Sequence, residues 1–228
     1  MQIFVDSADL AEIEHWLRQG VVDGVTTNPS IMLKDGVRDV EARARQLCQL
    51  VDDRPVSIEV TTNDPKEMLE QARICAQWAR NVVIKIPVIT ENGQSCLEVV
   101  KTLTREDIAV NCTALLSFNQ AILAAKAGAT YVSLFAGRIA DEGGDAGLVV
   151  SNVREWLDKW TYHSRIIVGS IRSAIDVQNA ALAGAHVVTV PPQFLAKMID
   201  HRYTRETVRQ FNQDAENALI QIRQSQVA

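Results

Sequence analysis

The sequence predicts an α/β protein folded as a single (β/α)8 barrel, a TIM barrel, with an additional C-terminal helix. Three observations carry that expectation. Eight short β-branched apolar runs recur along the 228 residues, most are separated by ten to twenty residues of helical period, and no Pro-, Gly- or Ser-rich linker divides the chain. Strands that are apolar on both faces, each followed by a helix-length connection, call for a parallel sheet. Eight such units leave no edge strand, so the sheet closes.

The elements follow in order. A first strand at 3–5 ends on Asp6, and Ser7-Ala8-Asp9 leads into a helix over 8–18. An open dinucleotide-binding sheet would carry a Gly-rich turn there, so the doubly wound alternative is the weaker one. The second strand, 21–25, runs into Thr26-Thr27-Asn28-Pro29-Ser30, and the third, 56–60, carries Glu59 before a helix over 65–78. The fourth, 82–86, sits in Val82-Val83-Ile84-Lys85-Ile86-Pro87-Val88 and precedes a helix over 94–103; the fifth, 108–110, ends at Asn111. Helices over 119–127, 145–160 and 173–183 alternate with strands at 131–135, 166–169 and 187–190. Two joints repeat: Lys126-Ala127-Gly128-Ala129 ahead of Tyr131 and Leu182-Ala183-Gly184-Ala185 ahead of Val187 both set a Gly at a helix stop before a strand. Pro191-Pro192 then breaks the pattern. Residues 193–200 and 203–226 read as two further helices of one domain spanning 1–228.

Composition narrows the function. The net charge is -5 and Lys and Arg are scattered, so no basic stripe is offered to nucleic acid. No apolar run approaches the roughly 20 residues of a membrane helix, and the first residues lack the basic start of a secretory signal. A cytoplasmic protein without membrane or nucleic-acid partners is expected. Cys48, Cys75, Cys96 and Cys112 lack paired spacing and read as reduced core residues. His15, His163, His186 and His201 are dispersed, so no metal is expected.

In such a barrel the working groups project from the carboxyl ends of the strands. Lys85 is the sharpest candidate, a lone amine in a run otherwise wholly apolar. It must find a partner or lose its proton, and a free amine attacks carbonyls; the competing reading is a structural ion pair. Asp6 and Glu59 would converge on it from neighbouring strand ends and supply acid and base. Their structural alternatives are a cap on the first helix for Asp6 and simple neutralisation of Lys85 for Glu59. Arg138, Ser170 and Arg172, after the sixth and seventh strands, suit a phosphate or another tetrahedral anion. The Thr26–Ser30 segment is either a helix-capping turn or a grip on sugar hydroxyls.

With those residues in view, the chain resembles the small transaldolases and the related fructose 6-phosphate aldolases over nearly its whole length. The resemblance rests on Gly24-Val25-Thr26-Thr27-Asn28-Pro29-Ser30, Val83-Ile84-Lys85-Ile86-Pro87, Asn111-Cys112-Thr113, Ser133-Leu134-Phe135-Ala136-Gly137-Arg138 and Ser170-Ile171-Arg172, in family order. It implies a cofactor-free class I transfer of a dihydroxyacetone unit from fructose 6-phosphate or sedoheptulose 7-phosphate to an aldose phosphate, as in pentose phosphate metabolism. By the same resemblance Lys85 forms the Schiff base, Glu59 shuttles protons through a water held by Thr113, and Asp6 takes the proton from the C4 hydroxyl. Thr27, Asn28, Asn111, Ser133 and Phe135 would line the substrate, and Arg138, Ser170 and Arg172 would hold its phosphate. The aldolases resemble a pattern with Gln at position 59 and Tyr at position 135, so Glu59 and Phe135 favour transfer over release of dihydroxyacetone. Leu134, Ala136 and Ile171 depart from the usual Pro, Val and Phe, which bears on the acceptor and leaves a sulfonated sugar as an alternative. The family also implies a homo-oligomer, a pentamer or decamer. The stripe Val208, Phe211, Ala215, Leu219 and Ile222 would set the last helix on a neighbouring subunit, packing on its own barrel being the alternative.

Overall fold

The computed structural model describes residues 1–227, with side chains through residue 225. Eight parallel strands pair in sequence order and β1 closes on β8. They are β1 (Gln2–Asp6), β2 (Gly24–Thr26), β3 (Val56–Glu59), β4 (Val82–Pro87), β5 (Val110–Leu115), β6 (Tyr131–Phe135), β7 (Arg165–Gly169) and β8 (Val187–Val190). This is the (β/α)8 barrel expected, and each strand but the last returns through helix. The helices of this unit are α1 (Leu10–Arg18), α2 (Pro29–Lys34), α3 (Val40–Leu50), α4 (Pro65–Ala76), α5 (Leu97–Arg105), α6 (Phe118–Lys126), α7 (Ala136–Asp141), α8 (Ala146–Lys159) and α9 (Ala174–Leu182).

Three elements escaped the apolar pattern. The connection from β2 to β3 holds two helices, α2 started by Pro29 behind an Asn28 cap and α3 capped by Asp39. The α3 sequence, Val-Glu-Ala-Arg-Ala-Arg-Gln-Leu-Cys-Gln-Leu, buries only Ala44, Leu47 and Cys48, too few apolar positions to announce a stripe. The third is α7, a short helix that starts directly from the end of β6. Two strands also move. Strand β2 begins at Gly24 rather than 21, because Asp23 turns its carboxylate back to accept from the Ile3 backbone N–H at 2.8 Å. Strand β5 runs on to Leu115 through Asn111 and Thr113, whose polar side chains ended the apolar run in the sequence.

The interior of the barrel is layered by the period of two along each strand. Phe4, Val83, Tyr131, Ile167 and Val187 form an apolar plug, with the Phe4 and Tyr131 rings edge to face at 6.1 Å. Gly24 makes the plug possible, since a Cβ there would stand 2.7 Å from the Phe4 ring. Two residues further along the same five plug strands come Asp6, Lys85, Ser133, Gly169 and Thr189. The alternation that fills the bore with hydrocarbon therefore delivers a polar ring immediately above it. At the opposite end, His186 accepts from the Ile166 N–H at 3.0 Å, and burial pushes its imidazole down to about 4. All four cysteines are free and buried, with Cys48 and Cys75 pushed up to about 11 and Cys112 to about 12 by that burial.

By its internal contacts the chain divides into Met1–Pro192, which carries the barrel, and Gln193–Ala228. Beyond the barrel follow α10 (Pro192–Ile199) and α11 (Arg202–Val227), and Val208, Phe211, Leu219 and Ile222 on α11 are exposed. Among the described residues no helix is long and apolar enough to cross a membrane.

Candidate active site

Lys85 stands on β4 in parallel register between Glu59 of β3 and Asn111 of β5. It is 5 % exposed, and its Nζ donates to Glu59 Oε2 at 2.8 Å and to the Thr27 backbone carbonyl at 2.8 Å. Both partners are acceptors, and Glu59 can take a proton from the ammonium directly, with no intervening water. The structural ion-pair reading of Lys85 is thus also true, and the carboxylate that neutralises the amine is the group best placed to free it.

Asp6 ends β1 and is not the cap of α1. That role belongs to Asp9, whose carboxylate accepts from the Ala11 and Glu12 backbone N–H groups. Thr26 donates to Asp6 Oδ1 at 2.7 Å, and the Thr189 hydroxyl lies 2.5 Å behind that of Thr26. Because Thr26 has one proton and gives it to the carboxylate, Thr189 donates to Thr26, a two-hydroxyl chain running across the bore. Burial pushes the Asp6 carboxyl above its ordinary range; the Thr26 bond and the Lys85 charge only partly oppose this, and Glu59 and Asp35 add to it. Asp35 also fixes the loop just beyond Asp6, accepting from Ala8 N–H at 2.8 Å and from the Ser7 hydroxyl at 3.1 Å.

A cavity of about 180 Å³ opens above this layer, lined by Asp6, Asn28, Lys85, Asn111, Ser133, Phe135, Arg138, Ser170 and Thr189 among others. Asn28 uses its Oδ1 to cap α2 through the Ile31 N–H, leaving its amide nitrogen as a donor toward the cavity. The turn reading and the ligand reading of that segment are compatible. Asn111 donates to the Ser57 hydroxyl at 3.3 Å, while its Oδ1 and the Thr113 hydroxyl are buried without a partner. A buried polar atom left unmet costs about 1–3 kcal/mol, so these two are waiting acceptors and donors for a ligand or water. Thr113 is set by an irregularity in the β5–β6 register between Cys112 and Leu115, where Ala114 takes a left-handed φ of 58°.

Not every expected residue faces the cavity. Thr27 is fully buried and donates its hydroxyl to the Ser57 carbonyl at 2.9 Å, so its part is to hold its own carbonyl on Lys85. Glu59 and Thr113 do not line the cavity. Arg172 grips Asp141 with both terminal nitrogens, at 2.5 and 2.6 Å, and lines a neighbouring cleft of about 600 Å³ between α7, α8 and α9. That cleft is larger, but its titratable residues are all engaged: Asp145 caps α8, Asp176 accepts from the Arg172 backbone N–H, and Arg172 holds Asp141. The residues missed from sequence are Thr189 and Ser57, and Thr26, which opened the polar segment after β2, turns its hydroxyl to Asp6. Thr189 carried the same signal as Lys85, one polar residue in Val187-Val188-Thr189-Val190.

The family model for Transaldolase/Fructose-6-phosphate aldolase matches residues 3–228. The chain belongs to that family. Among its relatives is a probable transaldolase of Dehalococcoides mccartyi, 40 % identical over 214 residues, covering 94 % of this chain and 97 % of that one. Another, from Lactiplantibacillus plantarum, is 42 % identical over 94 % of this chain and 96 % of its own. A third, from Streptococcus pyogenes serotype M5, is 41 % identical over 94 % and 97 %. Two solved mandelate oxidase variants superpose with TM-scores of 0.57 and 0.59 at 16 % identity, over 83 % of this chain. The chain spans just under two thirds of their length, 63 % and 64 %, and the likeness is one of fold. The protein is therefore an enzyme of the transaldolase/aldolase kind.

Proposed function

We propose that the protein transfers a dihydroxyacetone unit between sugar phosphates through a Schiff base on Lys85. The observation that carries this reading is the Lys85 amine, buried at the floor of the cavity, paired to Glu59 at 2.8 Å and sharing that floor with Asp6. Glu59 accepts the ammonium proton, and the neutral amine adds to the C2 carbonyl of fructose 6-phosphate or sedoheptulose 7-phosphate. Loss of water from the carbinolamine needs a proton donor. Glu59, now protonated, supplies it through a water for which the unpartnered Thr113 hydroxyl is the natural holder. Asp6, whose carboxyl burial has made more basic, takes the proton of the C4 hydroxyl as the C3–C4 bond breaks and the aldose phosphate leaves. The enamine left on Lys85 is met by Asn28, Asn111 and Ser133 until an acceptor aldose phosphate takes the three-carbon unit. Arg138 and Ser170, on the cavity wall, receive the phosphate, with Arg172, held by Asp141, supporting them from the neighbouring cleft.

Phe135 supports transfer over cleavage: it stands on the cavity wall and brings no hydroxyl to order the water that would protonate the enamine. The aldolase reading, with release of dihydroxyacetone, and the use of a sulfonated sugar remain the alternatives. The test compares erythrose 4-phosphate-dependent transfer with acceptor-free cleavage of fructose 6-phosphate. Transfer should dominate, and free dihydroxyacetone formed at a comparable rate would favour the aldolase. For assembly we propose a ring of like subunits, a pentamer or decamer, supported by the exposed Val208, Phe211, Leu219 and Ile222 on α11. Light scattering on the purified protein measures it, and a monomer would overturn it.

A further inference from the structure

The anion end of the site contains a contact that the chemistry at Lys85 does not use. Gly137 and Asp141 lie four residues apart on α7 and so share one face of that helix. The Arg172 side chain lies along this face. A Cβ on Gly137 would stand 2.5 Å from the Ser170 backbone carbonyl oxygen, 2.6 Å from Arg172 Nε and 2.8 Å from Ser170 Oγ, so one missing methyl lets the helix approach both residues. The Gly137 N–H donates to the Ser170 carbonyl at 3.2 Å, and Ser170 is held at a left-handed φ of 58°. One turn on, Asp141 accepts from both terminal nitrogens of Arg172 in a fork, while Asp176 fixes the Arg172 backbone N–H at 2.9 Å. End-on capture by Asp141 leaves the Nε edge of the guanidinium beside Ser170, whose side of the cavity is also lined by Arg138.

We propose that Asp141 is a positioning residue that sets the enzyme's preference for phosphorylated substrates, by holding Arg172 across Gly137 so that its Nε edge backs the Ser170–Arg138 anion site. Resting on the functional reading above, the inference gives a role to a carboxylate that does not line the Lys85 cavity. Without Asp141 a long, half-exposed side chain must be ordered by the substrate itself, and that ordering entropy weakens binding of the anion alone. Gly137 is the second half of the device, because any side chain there fills the gap between Arg172 Nε and Ser170 Oγ.

The test is Asp141→Asn, which keeps size and shape, alongside Asp141→Glu and Gly137→Ala. With Asp141→Asn, KM for an aldose phosphate acceptor should rise about tenfold with kcat within about twofold, the size expected when a charge-assisted fork is removed. The ratio of kcat/KM for glyceraldehyde 3-phosphate over glyceraldehyde should fall by the same factor, with partial recovery in Asp141→Glu. Inorganic phosphate, titrated calorimetrically into the intact protein, should bind about tenfold more weakly to Asp141→Asn and to Gly137→Ala. Unchanged phosphate affinity overturns the inference, as does tighter binding, which would make Asp141 a competitor of the substrate. A parallel fall for phosphorylated and unphosphorylated acceptors also overturns it, by showing a merely structural role. Borohydride trapping on wild-type protein separates the two layers. Failure to label Lys85 removes the Schiff-base reading, whereas the phosphate titration still decides the role of Asp141.

Discussion

The two ends of the barrel are built to opposite rules. At the amino ends of the strands side chains are spent on the backbone: His186 accepts from Ile166, Asp23 from Ile3, and the Ser164 hydroxyl donates to the Ala129 carbonyl. At the carboxyl ends the chain retains a buried amine paired to Glu59, an Asp6 carboxyl raised by burial, and two unpartnered polar atoms beside them, Asn111 Oδ1 and the Thr113 hydroxyl. Such features weaken a folded protein and persist where chemistry requires them. Only two residues along each strand separate the apolar plug from this layer, so stability and function are divided between adjacent rungs of the same strands.

That division predicts that substitutions at the two ends separate in their effect on activity, and at Asp6 in the sign of their effect on stability. The largest effect should come from Lys85→Ala, which abolishes transfer and covalent trapping. Leaving the partly exposed Glu59 without its partner should also cost about 1–3 kcal/mol, measured by urea unfolding. Asp6→Asn should lower kcat by about 10²–10⁴ as an acid–base group is lost. Its effect on stability should have the opposite sign. The folded-state carboxyl is raised above its ordinary value of 3.8, so stability is lost as pH rises from that ordinary value through the folded one, and the loss is complete at higher pH. Thermal unfolding at neutral pH should therefore show Asp6→Asn more stable than wild type, and a lower melting temperature would break the comparison.

Below the active layer, Phe4→Ala should cost about 3–5 kcal/mol of stability by opening a void in the plug, with the Lys85 adduct still formed. His186 should make stability depend on pH. Its folded value of about 4 lies below its ordinary 6.5, so its contribution is complete above that ordinary value and is lost as pH falls from about 6.5 toward 4. The loss should amount to at most about 3 kcal/mol and should be absent in His186→Gln, as urea midpoints at graded pH would record. The smallest effect is expected at Phe135→Tyr, where the new hydroxyl should raise acceptor-free release of dihydroxyacetone severalfold.

Much of this division was legible in the sequence, and the reason is local. A lone polar residue in an apolar run, Lys85, has few physical explanations, and the strand period then fixes which neighbours share its face. The β-α alternation and the two Gly-terminated joints sufficed for the barrel. Other features depended on contacts between distant segments. Nothing near Asp141 announces Arg172, 31 residues away, as its partner, and Thr189 meets Thr26 across 163 residues. The α2 and α3 helices were hidden for a different reason: α2 is six residues long and buries only Met32, and α3 buries three, so neither leaves much periodic trace. Asn111 and Thr113 showed as a strand's end because buried polar residues inside a strand look like a loop in one dimension.

The central claim is that one interior amine performs the covalent step. Incubation with fructose 6-phosphate and borohydride, followed by peptide mapping, tests it most directly. The account predicts a single stable adduct of a three-carbon unit on the peptide carrying Lys85, absent in Lys85→Ala. An adduct on any other lysine, or transfer activity that proceeds with Lys85 unmodified and dispensable, would contradict it.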